Sequence, residues 1–214
     1  MSAPKELRDA IARDLRPTRP LRSPWVRALV LTPLAVAIVL SVPGLRFFRS
    51  DMQAIGIVKA WGFSFGQALA GLVIVAVALR ESIPGRSLSR RAIVATFAIG
   101  LAIPVLLLAA TASAYNIGPA PGQDLAEGIG CFRVSAISAI PALIAAAFLA
   151  ARAFPTRPAL AGALYGLGCG LVADAGLRLF CEYTEIEHVL FGHGGAIVAA
   201  MVFGAVVAKI IPRS

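Results

Sequence analysis

The sequence predicts an all-α integral membrane protein, a bundle of six transmembrane helices preceded by a short amphipathic cytoplasmic helix. Three observations predict it. Hydrophobic residues are 58% of the 214 and charged residues only 14%, against about 25% charged in a soluble domain that must face water. The mean hydropathy is +0.82. The apolar residues form six long runs, with basic residues gathered at the run ends, which is how membrane proteins set their orientation. The formal net charge of +9 therefore reads as topology rather than as a nucleic-acid footprint, and no direct nucleic-acid binding is expected. No run alternates apolar and polar residues in the manner of an outer-membrane barrel.

Residues 1–24 read as an N-terminal cytoplasmic tail. Leu7, Ile11 and Leu15 recur every four residues and make one apolar stripe on a short helix, with Arg8, Asp9, Arg13 and Asp14 on its other faces. Arg16 follows the stripe, and Pro17 and Pro20 end the helix and begin an extended basic segment leading to Trp25 at the interface. Such a helix can lie on anionic lipid or fill a groove in a cytosolic protein, and the spacing leaves both open. The transmembrane domain spans 25–211, with helices expected over 25–43, 61–80, 92–114, 134–151, 158–180 and 189–211, and residues 212–214 form the C-terminus. Each run has about 18–23 residues, enough at 1.5 Å per residue to cross about 30 Å of hydrocarbon. The first reads as uncleaved, because its basic flank is long and no small-x-small cleavage site follows. Pro33, Pro104 and Pro141 fall inside helices one, three and four, where kinks are expected. In the fifth, Gly162, Gly166 and Gly170 share one face. In the sixth, Ala196, Ala200, Gly204 and Ala208 do the same, so a close antiparallel pair is expected.

Orientation follows from the 20 basic residues. Only Arg46, Arg49, Lys59, Arg133 and Arg178 fall on the side opposite the N-terminus. The positive-inside rule then places both termini in the cytoplasm. Charge inside a span is costly and invites a functional reading. Asp174 is the only acid well inside one, and Arg178 lies one turn later, so the two read as a structural intramembrane pair. Cys169 reads as a packing residue, while Cys131, just before helix four, and Cys181, just after helix five, share the outer face, where a disulfide is chemically permitted. No resident cofactor is expected: Glu182, Glu185, Glu187, His188 and His193 lie near Cys181 and make a metal site conceivable, with Glu182 and His193 as its candidates, but the spacings match no standard zinc pattern and His193 reads as an interfacial histidine.

The tail LRDAIARDLRPTRPLRSPWVRA, residues 7–28, resembles the opening of the NrsF-type membrane anti-sigma factors of proteobacteria. The stretch CFRVSAISAIPALIAAAFLAARAFPTRPALAGALYGLGCG, residues 131–170, is similar to their fourth and fifth helices. LFCEYTEIEHVLFGHGGAIVAA, residues 179–200, is similar to their second cysteine segment, with Cys181, Glu182 and His193 on motif positions. Phe180 stands where a histidine is common and Gly192 where a tryptophan is common.

The resemblance implies a non-enzyme that holds an extracytoplasmic-function sigma factor at the bacterial inner membrane and releases it on a periplasmic stress signal. It implies docking of the sigma factor on the tail, through Leu7, Arg8, Ile11, Leu15, Arg16 and Pro17, and outward sensing by Cys131 and Cys181. Two other classes remain open to the sequence. A small-solute or ion transporter would need a polar mid-membrane cavity lined by residues such as Asp174, and a periplasm-facing thiol or quinone enzyme would need a second cysteine pair.

Overall fold

The computed structural model describes residues 4–14, 20–115, 125–183 and 185–211. It is 81% helical, with no strand among the described residues. The elements are α1 (Lys5–Asp14), α2 (Pro24–Leu29), α3 (Thr32–Leu45), α4 (Met52–Ile55), α5 (Ile57–Glu81), α6 (Arg90–Tyr115), α7 (Leu125–Ala151), α8 (Pro158–Leu177), α9 (Ile186–His188) and α10 (Gly195–Ile210), with a π-helical turn at Val189–Gly194 joining the last two. Among the described residues six helical segments are long and apolar enough to cross a membrane: Pro24–Leu45, Ile57–Glu81, Arg90–Thr111, Glu127–Ala151, Pro158–Leu177 and Ile186–Ile210.

The first span starts where Ser23 accepts a hydrogen bond from the Val26 N–H at 3.4 Å and Pro24 takes the first helical position. It breaks at Val30–Leu31 before α3 resumes with Pro33 in its first turn. Pro33 has no N–H to give the Leu29 carbonyl, and its ring crowds that carbonyl, so the expected kink appears as a break one turn earlier. The fourth span begins well before the expected residue 134. Cys131 consequently lies within α7 rather than ahead of it.

The fifth span, α8, is the hub. Over an 18-residue apolar stretch 89% of its residues are buried, against 11% for the third span, which faces outward along most of its length. Every residue from Leu164 to Leu177 is buried, packed against α3, α5, α7 and α10. The other spans turn side chains such as Ile99, Leu106, Ile137, Phe148 and Phe203 outward, which suits a hydrocarbon solvent. Glycine sets the packing distance. A Cβ on Gly162 would clash with the Gly204 carbonyl and one on Gly166 with the Ala200 carbonyl, so α8 and α10 touch backbone to backbone along the glycine stripe. On its other side, a Cβ on Gly168 would stand 2.5 Å from the Gly71 oxygen of α5.

The two ends of the bundle are pinned differently. At the end near the termini, buried Arg27 donates to the Leu149 carbonyl. Glu81, its side chain 0% exposed, pairs with Arg157 at 2.5 Å and accepts the Leu88 N–H at 2.6 Å. That ties the segment between α5 and α6 to the turn before α8. At the other end, the Arg49 N–H donates to the Leu179 carbonyl at 3.0 Å, its guanidinium reaches the Arg178 carbonyl at 3.3 Å, and the Ser50 hydroxyl donates to Glu182 at 2.5 Å. The segment after the first span therefore closes over the residues that follow α8.

Candidate functional site

Three elements meet beneath that closure. Cys131 comes from the second turn of α7. Cys181 follows α8, its N–H bonded to the Leu177 carbonyl at 2.7 Å. The start of the sixth span adds His188 and His193. Both thiols are free and 5% exposed, with the sulfurs 3.7 Å apart. His188 Nε2 lies 3.3 Å from the Cys181 sulfur. One ligand-capable atom from each of Cys131, Cys181, His188 and His193 falls within 4.8 Å of the other three.

The π-helical turn assembles this group. Five residues along an ordinary α-helix advance about 500°, which would leave His188 and His193 some 140° apart in direction. A π turn joins residues five apart by hydrogen bonds and stacks them on one side, and the two imidazole centroids are 5.8 Å apart. The turn reaches α7 because residue 192 is glycine: a Cβ there would sit 3.1 Å from the Gly128 carbonyl oxygen and 3.3 Å from the Cys131 Cβ. Tyr183 covers His188 with its ring, centroids 4.9 Å apart. The hydrogen bond shared with Cys131, followed by burial, pushes the pKa of the Cys181 thiol up.

One turn deeper lies a polar network. Asp174 is fully buried and receives His193 Nδ1 at 2.6 Å, Gln67 Nε2 at 2.6 Å and Arg178 Nε at 3.3 Å. Arg178 Nε also donates to Gln67 Oε1 at 2.7 Å, and Arg178 Nη2 to the Pro104 carbonyl at 2.9 Å. The guanidinium thereby reaches across to α6 and ties it to the end of α8. Asp174 and Arg178 are paired, and two further partners come from other helices: Gln67 on α5 and His193 at the start of the sixth span. His193 is thus no interfacial histidine; it is 3% exposed and held by Asp174. Glu182 turns to Ser50 and stands outside the four-residue group.

The tail is far simpler. In α1 no residue is buried, and Leu7 and Ile11 are 51% and 52% exposed. Arg8 is exposed as well. Leu15, Arg16 and Pro17 lie outside the described residues. Leu7 and Ile11 thus stand exposed on α1, and a buried thiol–imidazole cluster sits at the end of the bundle where α7, α8 and the sixth span meet.

The family model for NrsF, negative regulator of sigma F, matches residues 11–213. The chain belongs to the NrsF family. The match takes in all six spans, the cysteine–histidine cluster and the last four residues of α1, Ile11 to Asp14. Family membership makes the chain a negative regulator with a sigma factor as its partner. Neither curated proteins nor solved structures give a match.

Proposed function

We propose that this NrsF-family protein sequesters an extracytoplasmic-function sigma factor at the bacterial inner membrane and releases it when Cys131 and Cys181 register a periplasmic signal. The observation that carries the reading is the family match over residues 11–213. The cytoplasmic tail, residues 1–24, supplies the docking surface. In its support, Leu7 and Ile11 are open, with Arg8 beside them. Leu15, Arg16 and Pro17 continue the same surface in this proposal. The positive-inside bias supports cytoplasmic termini and, with them, a thiol cluster on the periplasmic side.

Sensing is supported by the 3.7 Å contact between the two sulfurs. In the oxidative branch the two thiols give two electrons and two protons to a peroxide-class oxidant, which leaves as water, and a disulfide joins α7 to the end of α8. A shift from 99:1 retention to 99:1 release requires sensor states that differ by about 5.5 kcal/mol. The sulfurs already lie 3.7 Å apart, so that difference has to come from rearrangement around the cluster, where the Asp174 network is the nearest polar structure.

Co-purification tests the reading. The tagged full chain, extracted in mild detergent under reducing conditions, should carry a sigma factor in one-to-one ratio and lose it on oxidation. A chain that retains no sigma factor in either redox state would remove the proposal.

A further inference from the structure

We propose that Cys131, Cys181, His188 and His193 form a binding site for a single divalent d10 cation, zinc or its heavier congener cadmium, with Asp174 as the residue that positions His193. The proposal deepens the sensor reading and rests on it only for the regulatory consequence. Binding itself depends on the geometry of the four side chains.

Distance is the first argument. A tetrahedral zinc ion with bonds of about 2.3 Å to sulfur and 2.0–2.1 Å to imidazole nitrogen requires ligand atoms about 3.8 Å apart for sulfur–sulfur and about 3.5 Å for sulfur–nitrogen. The sulfurs of Cys131 and Cys181 are 3.7 Å apart, and Cys181 Sγ is 3.3 Å from His188 Nε2. Those edges already have the size of a tetrahedron's, and ligand atoms from all four residues lie within 4.8 Å of one another.

The second argument is an unmet polar demand. His193 gives Nδ1 to Asp174, which leaves Nε2 buried without a hydrogen-bond partner. An orphaned nitrogen in a residue only 3% exposed asks for an explanation, and a cation between it and the thiolates supplies one. The third is the orienting shell. Metal-bound histidines habitually donate their other nitrogen to a carboxylate, which fixes tautomer and ring direction. Asp174 takes that place at 2.6 Å and is itself held by Gln67 and Arg178.

Charge selects the ion. Two sulfurs and two imidazole nitrogens in a tetrahedron suit zinc-like ions and exclude hard cations such as magnesium and calcium. A dication that displaces the two thiol protons leaves a centre of zero net charge beside the already balanced Asp174–Arg178 pair. A monovalent ion on the same thiolates would leave a buried negative charge. A filled site cross-links α7, the end of α8 and the sixth span without any electron transfer, whereas the disulfide joins only the first two.

The test uses the full chain in detergent, reduced and stripped with chelator, then dialysed against zinc. One zinc per chain is expected. Cadmium should give a sulfur-to-metal charge-transfer band, and cobalt the visible bands of a tetrahedral site. Bound zinc should shield two of the three thiols from a maleimide, a readout that needs no variant. Cys131→Ser, Cys181→Ser, His188→Gln and His193→Gln should each weaken binding at least 100-fold, and Cys169→Ser should leave it unchanged. Asp174→Asn should weaken it 10–100-fold and shift the cobalt bands, with partial recovery in Asp174→Glu. Absence of stoichiometric zinc in the reduced protein, or binding indifferent to both histidine substitutions, would overturn the site. Zinc bound one-to-one by a chain that never retains a sigma factor would support the site while removing the anti-sigma reading.

Discussion

Asp174 is where the bundle should be most sensitive to a single atom. Three donors, His193 Nδ1, Gln67 Nε2 and Arg178 Nε, converge on its two carboxylate oxygens. Asparagine keeps the volume but offers one oxygen and one NH2, so Asp174→Asn sets a donor against a donor whichever way the amide points. His193 can yield by giving up its Nδ1 proton and accepting. Arg178 cannot, because guanidinium does not deprotonate in a protein. Removing one partner of a buried pair costs about 3–5 kcal/mol. Arg178 keeps Gln67 Oε1 and the Pro104 carbonyl, and its side chain is 12% exposed, so the lower limit of about 3 kcal/mol applies. In a chain of this size each kcal/mol moves the melting temperature by about 2–4 °C, and Asp174→Asn should melt about 6–12 °C lower in detergent by circular dichroism. Arg178→Gln should also destabilise, and the double substitution should be milder than the two effects added, by about 1–3 kcal/mol. A single-substitution loss below about 1 kcal/mol, or strict additivity in the double, would refute the idea that the two residues are held as a charge pair.

Three further outcomes follow from other parts of the molecule. Leu7→Ser with Ile11→Ser should reduce sigma-factor retention on the order of 100-fold, taking about 1–3 kcal/mol for each apolar anchor, with membrane insertion unchanged by carbonate extraction; retention at the parent level would disprove tail docking. Cys131→Ser with Cys181→Ser should abolish the response of sigma-dependent transcription to oxidant or thiophilic metal while repression persists, and a double variant that still responds would eliminate the sensor assignment. Gly166→Val should force α8 from the Ala200 carbonyl of α10 and destabilise by about 1–3 kcal/mol, whereas Gly62→Ala, with nothing within 4 Å of the added carbon, should be neutral or stabilise by up to about 1 kcal/mol; equal melting temperatures for both would contradict backbone-to-backbone packing.

Lipid makes some features legible in sequence and hides others. A span must supply about 20 apolar residues whatever its neighbours do, so six runs read directly as six helices. Small residues repeated every four positions state one face of one helix, and the α8–α10 contact at Gly162, Gly166, Ala200 and Gly204 follows from that repeat alone. The Asp174–Arg178 pair is local in the same sense, four residues apart on one helix. Helix four's early start was obscured by Glu127, Gly128 and Gly130, which read as a loop. In the structure these residues are helical, and the Gly128 carbonyl is approached by Gly192.

Gln67 and His193 illustrate the opposite limit. Each is a single polar residue within a mostly apolar stretch, and nothing in its own neighbourhood states that Asp174 lies at the same depth on the facing helix. Depth and rotation of separate helices are set by packing around α8, and that information is spread over the whole bundle. His188 and His193 were harder still, because a separation of five residues on an α-helix means opposite faces. Only the π-helical turn at Val189–Gly194 makes them neighbours. A run of Val, Leu, Phe and Gly carries no propensity signal for a π turn, which is paid for by tertiary contacts such as the Gly192–Gly128 approach. The residues best placed to bind a ligand are therefore those whose alignment depends most on the assembled bundle. Substitutions that loosen helix packing near Gly192 should for that reason disturb the cluster before they disturb the spans.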